Sequence, residues 1–205
     1  MPLVGLVGLE CLLRATGFGR PMRPFVCQVF DGKTFAVRNM DFLAQFFPGE
    51  LPALQMEKVE AVVAKEKNAN TCRIIVLGES AAEGWPGPSF GFPRYLRLML
   101  EERYPGVAFE VINLCFRAVN SHVMKPTAQF CADELNPDVF VVYLGNNEAH
   151  GPYAPTKDAT GRMLPMTSPR WIDTHLFLEE SRVYQVAMRG QQWGMATLNL
   201  PDPRK

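Results

Sequence analysis

Three apolar runs stand out in the hydrophobicity pattern of the chain, and they predict β-strands over residues 73–78, 108–114 and 138–144. Between these runs, apolar and charged residues mix as on helices that are buried on one side, near 93–104 and 121–135. Strand, helix, strand, helix, strand at this spacing predicts right-handed parallel crossovers and hence a layered α/β fold. The carboxyl ends of all three strands should then lie at one edge of the sheet.

The segments on either side of this pattern are less regular. Residues 1–16 are apolar, too short to span a bilayer unaided and interrupted by Glu10, so they predict either a helix packed on the domain or the end of a membrane anchor. Irregularly spaced aromatic residues and turn signals over 17–70 predict short strands and loops that lie on the main domain, residues 71–205. A last helix is predicted near 171–193.

Composition narrows the classes of function. The chain has 205 residues, of which 47% are hydrophobic and 20% charged, as in an ordinary globular protein with one sizeable core. Lysine plus arginine balance aspartate plus glutamate at 21 each, so nucleic acid is not predicted as a partner. The five cysteines are scattered without a Cys-x-x-Cys pair, which predicts mostly buried thiols and neither a disulfide framework nor a metal site.

The first strand ends in the stretch RIIVLGESAAEG, in which Ser80 occupies the turn between strand and helix. At this position its hydroxyl would lie at the carboxyl edge of the sheet, near a helix N-terminus that favours developing negative charge. This placement predicts a nucleophile. The alternative interpretation is an ordinary strand-to-helix turn in which Ser80 is the N-cap.

Two later segments are predicted at the same edge as Ser80. Residues 113–121, NLCFRAVNS, follow the second strand, and Asn147 follows the third. Together these segments would supply a nucleophile and hydrogen-bond donors for an oxyanion, which is what an acyl-transfer site requires.

With these segments in place, the chain resembles the SGNH, or GDSL-like, hydrolase family. GES at 78–80 stands for the family's Gly-Asp-Ser block, and GNNE at 145–148 stands for its Gly-x-Asn-Asp block. The resemblance implies a three-layer α/β/α fold with a flavodoxin-like parallel sheet, incomplete at the C-terminus of this chain. It also implies a serine hydrolase that acts on ester bonds, in the esterase, lipase or acetyl esterase class.

Carried over residue by residue, the resemblance assigns Ser80 as the nucleophile and its backbone N–H as an oxyanion donor, with the Asn147 side-chain amide as a second donor. The third donor would be the backbone N–H of Ala118, where the family has a glycine. Glu79 and Glu148 stand in place of the family's aspartates. The implied partner is an acylated or other small-molecule substrate, with no metal and no cofactor.

The family's Asp-x-x-His block, which supplies the general base, is absent from the sequence. None of His122, His150 and His175 has an aspartate three residues before it. His122 and His150 lie near the predicted edge and are alternative bases, although a lone histidine in such a loop is more often structural. Because serine without a base is a poor nucleophile at neutral pH, the chain alone is expected to be slow or inactive.

The resemblance extends over residues 73–153 and more loosely to ECLLRATGFG near the N-terminus. It is similar to bacterial proteins in which a membrane anchor precedes the SGNH domain and tetratricopeptide repeats follow it. This similarity implies that the chain is a fragment, associated with a membrane through residues 1–16 and extracytoplasmic; without an anchor it would be cytoplasmic. The loops that would shape the substrate pockets contain no informative motif, and the oligomeric state is not predicted.

Two other classes of function compete with the hydrolase. A ligand-binding module without chemistry is favoured by the missing Asp-x-x-His block and by Ala118 in place of glycine. A nucleotide-binding domain is disfavoured because the chain lacks both a Gly-x-Gly-x-x-Gly fingerprint and a Gly-Lys-Ser/Thr loop. The nucleophile elbow of α/β-hydrolases is excluded because Ala82 stands where Gly-x-Ser-x-Gly requires glycine.

Overall fold

The structure, a computed structural model, describes residues 2–47, 62–154 and 168–197. The α-helices in these ranges are, in chain order, α1 (Pro2–Ala15), α2 (Met40–Ala44), α3 (Ser80–Glu83), α4 (Phe92–Arg103), α5 (Ser121–Glu134), α6 (Pro169–Glu179) and α7 (Arg182–Thr197), and a short 3-10 helix covers Pro88–Phe90. The strands are β1 (Phe25–Phe30), β2 (Lys33–Arg38), β3 (Val62–Ala64), β4 (Thr71–Gly78), β5 (Ala108–Asn113) and β6 (Val139–Tyr143). They form two three-stranded sheets, in the orders β1-β2-β3 and β5-β4-β6.

The second sheet is parallel and has β4 at its centre. Ile75 of β4 aligns with Ile112 of β5 on one side and with Phe140 of β6 on the other. The three predicted parallel strands are thereby confirmed, with bounds that differ by one or two residues. Since the first sheet is antiparallel, the chain combines helices with both kinds of sheet, which is compatible with the predicted α/β class.

β4 is an unbroken apolar run because both of its faces are buried. Ile75 and Leu77 belong to one hydrophobic cluster, together with Val123 of α5. Val76, which points to the opposite face of the strand, packs in a second cluster with Ala82 of α3. The hydrophobic core therefore lies on both sides of the central strand.

The antiparallel sheet belongs to the segment before the parallel sheet. Phe25 of β1 is buried and stacks on Phe130 of α5, with 5.1 Å between the ring centroids. This segment also contains α2, a helix that the sequence pattern did not indicate. α2 begins after Asn39, whose side-chain Oδ1 accepts a hydrogen bond from the Asp41 N–H at 3.1 Å.

The predicted single helix over 171–193 is wrong, because two helices, α6 and α7, occupy this region. The chain turns at Ser181, and α7 begins where its first N–H groups find acceptors outside the helix. The carboxylate of Glu10 in α1 accepts hydrogen bonds from the N–H groups of Arg182 and Val183, each at 3.0 Å. Glu10 comes from the other end of the chain, but α7 also has a local cap, because Oγ of Ser181 accepts a hydrogen bond from the Tyr184 N–H at 3.3 Å. The serine is therefore a local sign of a helix start that the apolar pattern alone does not include.

α1 lies against α7 and outside the hydrophobic clusters. Leu9 and Leu12 are 41% and 59% exposed, and Leu13 is half-buried. Across the described ranges, no helix combines the length and the apolar character needed to cross a membrane.

Acid is expected to weaken the contact between α1 and α7. Burial alone would raise the pKa of Glu10, but hydrogen bonds from the Val183 and Arg182 N–H groups, the Ser181 hydroxyl and the Arg14 guanidinium outweigh it and lower the pKa from 4.5 to about 2. Because the folded pKa lies below the ordinary one, this stabilisation is complete above pH 4.5 and is lost as the pH falls toward 2.

Hydrogen exchange of the Arg182 and Val183 amides, corrected for the intrinsic rate at each pH, measures this loss. The Glu10→Gln variant is the control, because it should show weakened protection already at neutral pH and little further change in acid. Protection that stays constant in the unmodified chain down to a pH of about 2 would contradict the assignment.

Candidate active site

Ser80 lies at the carboxyl edge of the parallel sheet, directly after β4. The strand ends at Gly78, Glu79 is the N-cap with an extended backbone, and Ser80 is the first residue of α3. The alternative interpretation of Ser80 as the N-cap is wrong, since Glu79 occupies that position. Because α3 has only 4 residues, its dipole is small, and stabilisation of an oxyanion must come from individual donors.

Gly78 allows three segments to meet beside Ser80. A Cβ atom at this position would lie 2.6 Å from Cβ of Ala82, 2.9 Å from the carbonyl oxygen of Tyr143 and 3.0 Å from Sγ of Cys115. These atoms belong to α3, to the end of β6 and to the segment after β5. The close approach therefore requires glycine.

The segment after β5 continues the hydrogen bonding of the sheet before it turns. The Leu114 N–H donates to the Val76 carbonyl at 2.9 Å, and the Phe116 N–H donates to the Gly78 carbonyl at 3.0 Å. Ala118 then has a φ of +57°, in the left-handed region that glycine adopts freely and that costs alanine about 1 kcal/mol. The backbone at Ala118 thus has a conformation that favours glycine, although the chain has alanine here.

A buried ion pair joins this segment to α3. Nε of Arg117 donates to Oε2 of Glu83 at 3.0 Å, and the guanidinium carbon lies over the ring of Trp85, 4.2 Å from its centroid. The Asn113 side-chain amide donates to the Glu83 carbonyl at 3.1 Å. The residue before Ala118 is thereby held against α3.

Glu79 joins the segment after β6 to the same turn. Its carboxylate oxygen Oε1 accepts hydrogen bonds from the backbone N–H groups of Gly145 at 3.0 Å and Asn147 at 3.3 Å. The Glu79 residue is only 1% exposed. Asn147 therefore lies within direct hydrogen-bonding reach of the residue next to Ser80.

The segments after β5 and β6 are also bonded to each other. The side-chain Nδ2 of Asn147 donates to the Val119 carbonyl at 3.0 Å. The Glu148 carboxylate accepts from the N–H and the hydroxyl of Ser121 at 2.8 and 2.7 Å. The structure thus brings together the three segments that were predicted to form the site. Among the described residues, Nδ2 of Asn147 has one acceptor, the Val119 carbonyl, so within this part of the chain its second N–H can serve a ligand.

All three histidines lie in the described part of the chain, and none of them hydrogen-bonds with Ser80 there. The rings of His122 and His175 both pack edge-on against Tyr153, with centroid distances of 6.1 and 6.2 Å. His150 is exposed. The hypothesis that His122 or His150 replaces the missing base therefore finds no hydrogen-bonding geometry in its favour.

The cysteines differ from what the sequence predicts. Only Cys115 and Cys131 are buried, whereas Cys11 in α1 and Cys27 in β1 are exposed, so the prediction of mostly buried thiols is wrong. Burial raises the pKa of Cys115 to about 12. Its thiol is thus protonated at neutral pH and does not compete with Ser80 as a nucleophile.

A groove of about 790 Å³ runs along α5 and reaches the edge only at Ser121 and His122, at the start of this helix. Residues of α5, α6 and the N-terminal segment line it, among them His122, Phe130, Ile172 and Leu176. No residue of α3 or of the segment after β6 is among its lining residues. The groove therefore does not coincide with the position of Ser80.

Three charged residues that hold the edge together were missed as functional residues by the sequence analysis. They are Glu79, Glu83 and Arg117, all at most 9% exposed. A signal for the first two exists in GESAAEG, where glutamates stand beside glycine and alanine in a turn that should be buried. Buried charges require partners, so these glutamates predict long-range hydrogen bonds, although their partners cannot be named from the sequence.

No family model, curated protein or solved structure matches the chain. Within residues 2–47, 62–154 and 168–197, no group of three histidine, cysteine, aspartate or glutamate side chains is arranged to hold a metal ion. The groups that meet at the edge are a serine hydroxyl, backbone N–H groups and one side-chain amide. Groups of these kinds can serve as a nucleophile and as hydrogen-bond donors to an oxyanion.

Proposed function

We propose that the carboxyl edge of the parallel sheet is the acyl-transfer site of an SGNH-type serine hydrolase acting on ester bonds. Ser80 is the nucleophile, and the N–H groups of Ser80 and Ala118 and the Asn147 amide stabilise the oxyanion. The observation that carries the proposal is the pair of hydrogen bonds from Gly145 and Asn147 to Glu79. These bonds link the proposed oxyanion donor to the residue beside the proposed nucleophile.

The proposed reaction begins when a general base takes the proton of Ser80 while Oγ bonds to the ester carbonyl carbon. The carbonyl electron pair moves onto oxygen, where each fixed donor contributes on the order of 3 kcal/mol. When the carbonyl re-forms, the bond to the alkoxide breaks and the base returns its proton to the leaving alcohol. Water then attacks the acyl-serine by the same steps and releases a carboxylic acid and the free serine.

We place the general base in an Asp-x-x-His block outside residues 1–205. In this proposal the parallel sheet is larger than three strands and is the middle layer of a three-layer α/β/α fold of the flavodoxin-like type. The edge strand β6 supports this arrangement, because four of its residues carry large apolar side chains that are at least 38% exposed: Val139, Phe140, Val142 and Tyr143. Apolar edge strands are ordinarily covered by further chain. One more strand with its helix would cover them.

A ligand-binding module is the second candidate function. It is favoured by the absence of a hydrogen bond between Ser80 and any of the three histidines, all of which the structure describes. In that case, the Ala118 N–H and the Asn147 amide would hold a carbonyl or carboxylate oxygen without covalent chemistry. Such a module would bind esters and never form an acyl-serine.

A fluorophosphonate, which forms a covalent adduct with activated serines, tests the proposal on residues 1–205. Soluble imidazole replaces the missing base. We expect an adduct on Ser80, identified by peptide mass mapping, that forms faster as the imidazole concentration rises. Ser80→Ala should abolish the adduct, whereas alanine in place of the exposed Ser89, the matched control, should leave it unchanged.

Asn147→Ala is expected to slow formation of the Ser80 adduct about 10²-fold, because it removes one donor to the phosphoryl oxygen, which occupies the oxyanion position. The measurement is the rate of mass increase under the same imidazole concentration. Ester binding without any Ser80 adduct would contradict the hydrolase and favour the binding module.

A further inference from the structure

We infer that Glu79 is a positioning residue that holds the Asn147 amide at the correct distance from Ser80. The inference rests on the proposed function, and it assigns Glu79 a part in that reaction without contact to the substrate. An ordinary turn between a strand and a helix requires neither the length of this side chain nor its acceptor oxygen. Both are required by the two N–H groups that Oε1 binds.

The geometry shows which part of the chain Glu79 holds. Both hydrogen bonds to Oε1 come from the segment after β6, from residues 66 and 68 positions away in the sequence. Oε2 is buried and has no hydrogen-bond partner among the described residues. A buried carboxylate that is half-satisfied lowers stability, and such groups in native proteins are typical of functional sites.

The position of Glu79 in the chain is the reason that we expect it to affect the reaction at Ser80. Because Glu79 is covalently bonded to Ser80, the hydrogen bond that the Asn147 N–H donates to Glu79 ties the donor segment to the nucleophile with few intervening bonds. Gly145, the other donor, has a φ of +142°, a backbone conformation that glycine adopts readily. The carboxylate thus fastens the segment at two points, just before and within the turn over 146–150. Misplacement of a catalytic group by about 1 Å can slow a reaction up to about 10²-fold.

Three substitutions separate charge, length and hydrogen bonding at this position. Glu79→Gln keeps the side-chain length and one carbonyl acceptor, so it should preserve the turn. Glu79→Asp is one methylene shorter and should lose at least one of the two hydrogen bonds. Glu79→Ala removes the acceptor altogether, and Glu79→Gln serves as its folded, nearly isosteric control.

Hydrogen exchange of the Gly145 and Asn147 amides is the first measurement. Glu79→Ala should raise both exchange rates about tenfold or more, the equivalent of one hydrogen bond to a charged group. Glu79→Gln should stay close to the unmodified chain, and so should Ser80→Ala. Unchanged exchange in Glu79→Ala would overturn the role of Glu79 without touching the proposed function.

Fluorophosphonate labelling of Ser80 in a double-mutant cycle is the second measurement. Glu79→Ala alone should lower the labelling rate about tenfold through the rate of adduct formation and not through binding of the reagent. In the Asn147→Ala background, Glu79→Ala should lower the labelling rate little further. The side-chain amide that Glu79 positions is already absent from that background.

Failure of the inference about Glu79 and failure of the proposed function give different results in these measurements. A full additional loss in the Asn147→Ala background would show that Glu79 acts through the fold in general, which overturns the inference. No labelling of Ser80 in the unmodified chain would overturn the proposed function, and with it the catalytic part of this inference, even if the exchange of Gly145 and Asn147 still depends on Glu79.

Discussion

Ser80→Ala is expected to lower ester turnover about 10³-fold or more in a longer form of the chain that includes an Asp-x-x-His block. The serine, the base and its aspartate act as a unit, so each loses most of its value when one is missing. In residues 1–205 the same substitution should change little, because the oxyanion donors and an unassisted serine leave only residual catalysis. Hydrolysis of p-nitrophenyl acetate measures both rates.

Two further variants of the longer form, Asn147→Ala and Ser89→Ala, are compared with Ser80→Ala for their ester turnover. Asn147→Ala removes one donor of several and should slow turnover on the order of 10²-fold, whereas Ser89→Ala should have no effect. Strong activity in residues 1–205 that disappears with His122→Ala or His150→Ala would show that the base was misplaced. Activity in the longer form that ignores Ser80→Ala would exclude the hydrolase and leave the binding module.

Arg73→Ala is expected to lower the free energy of unfolding by about 3 kcal/mol. Arg73 begins the apolar run of β4 and is 1% exposed. Its Nε donates to Glu110 of β5 at 2.6 Å, and Nη1 donates to the carbonyl oxygens of Leu135 at 2.5 Å and Lys65 at 3.3 Å. Truncation would create a cavity and leave a buried carbonyl group without its donor.

Urea unfolding measures the effect of Arg73→Ala, and Arg97→Ala is the matched control. Arg97 lies on α4, is about half-exposed and pairs with Glu101 at 3.6 Å, so its removal should change stability by no more than about 0.5 kcal/mol. A loss for Arg73→Ala as small as that for Arg97→Ala would show that water replaces the hydrogen bonds of the Arg73 side chain.

The Ser80 turn illustrates how far sequence reasoning reaches at the candidate site. The apolar run before Gly78 predicts the central strand because a strand buried on both faces has no polar alternation, and the turn after it follows from the small residues. The prediction of one helix over 171–193 fails for two reasons. The apolar periodicity does not include the helix-start signal of Ser181, whose Oγ accepts from the Tyr184 N–H. The Glu10 carboxylate, which also caps α7, approaches this helix only after the chain has folded.

The sequence by itself determined the three parallel strands, the helices between them, and the order in which Ser80, Ala118 and Asn147 follow their strands. These features depend on periodic burial and on local turn chemistry, which operate over a few residues. Only the tertiary structure decided which groups the buried charges bind: Glu79 reaches Gly145, 66 residues away, and Arg73 reaches Leu135, 62 residues away. A buried charge in the sequence predicts that a partner exists. Packing selects which group that partner is, because the hydrogen bond forms only between groups that the folded chain brings within about 3 Å.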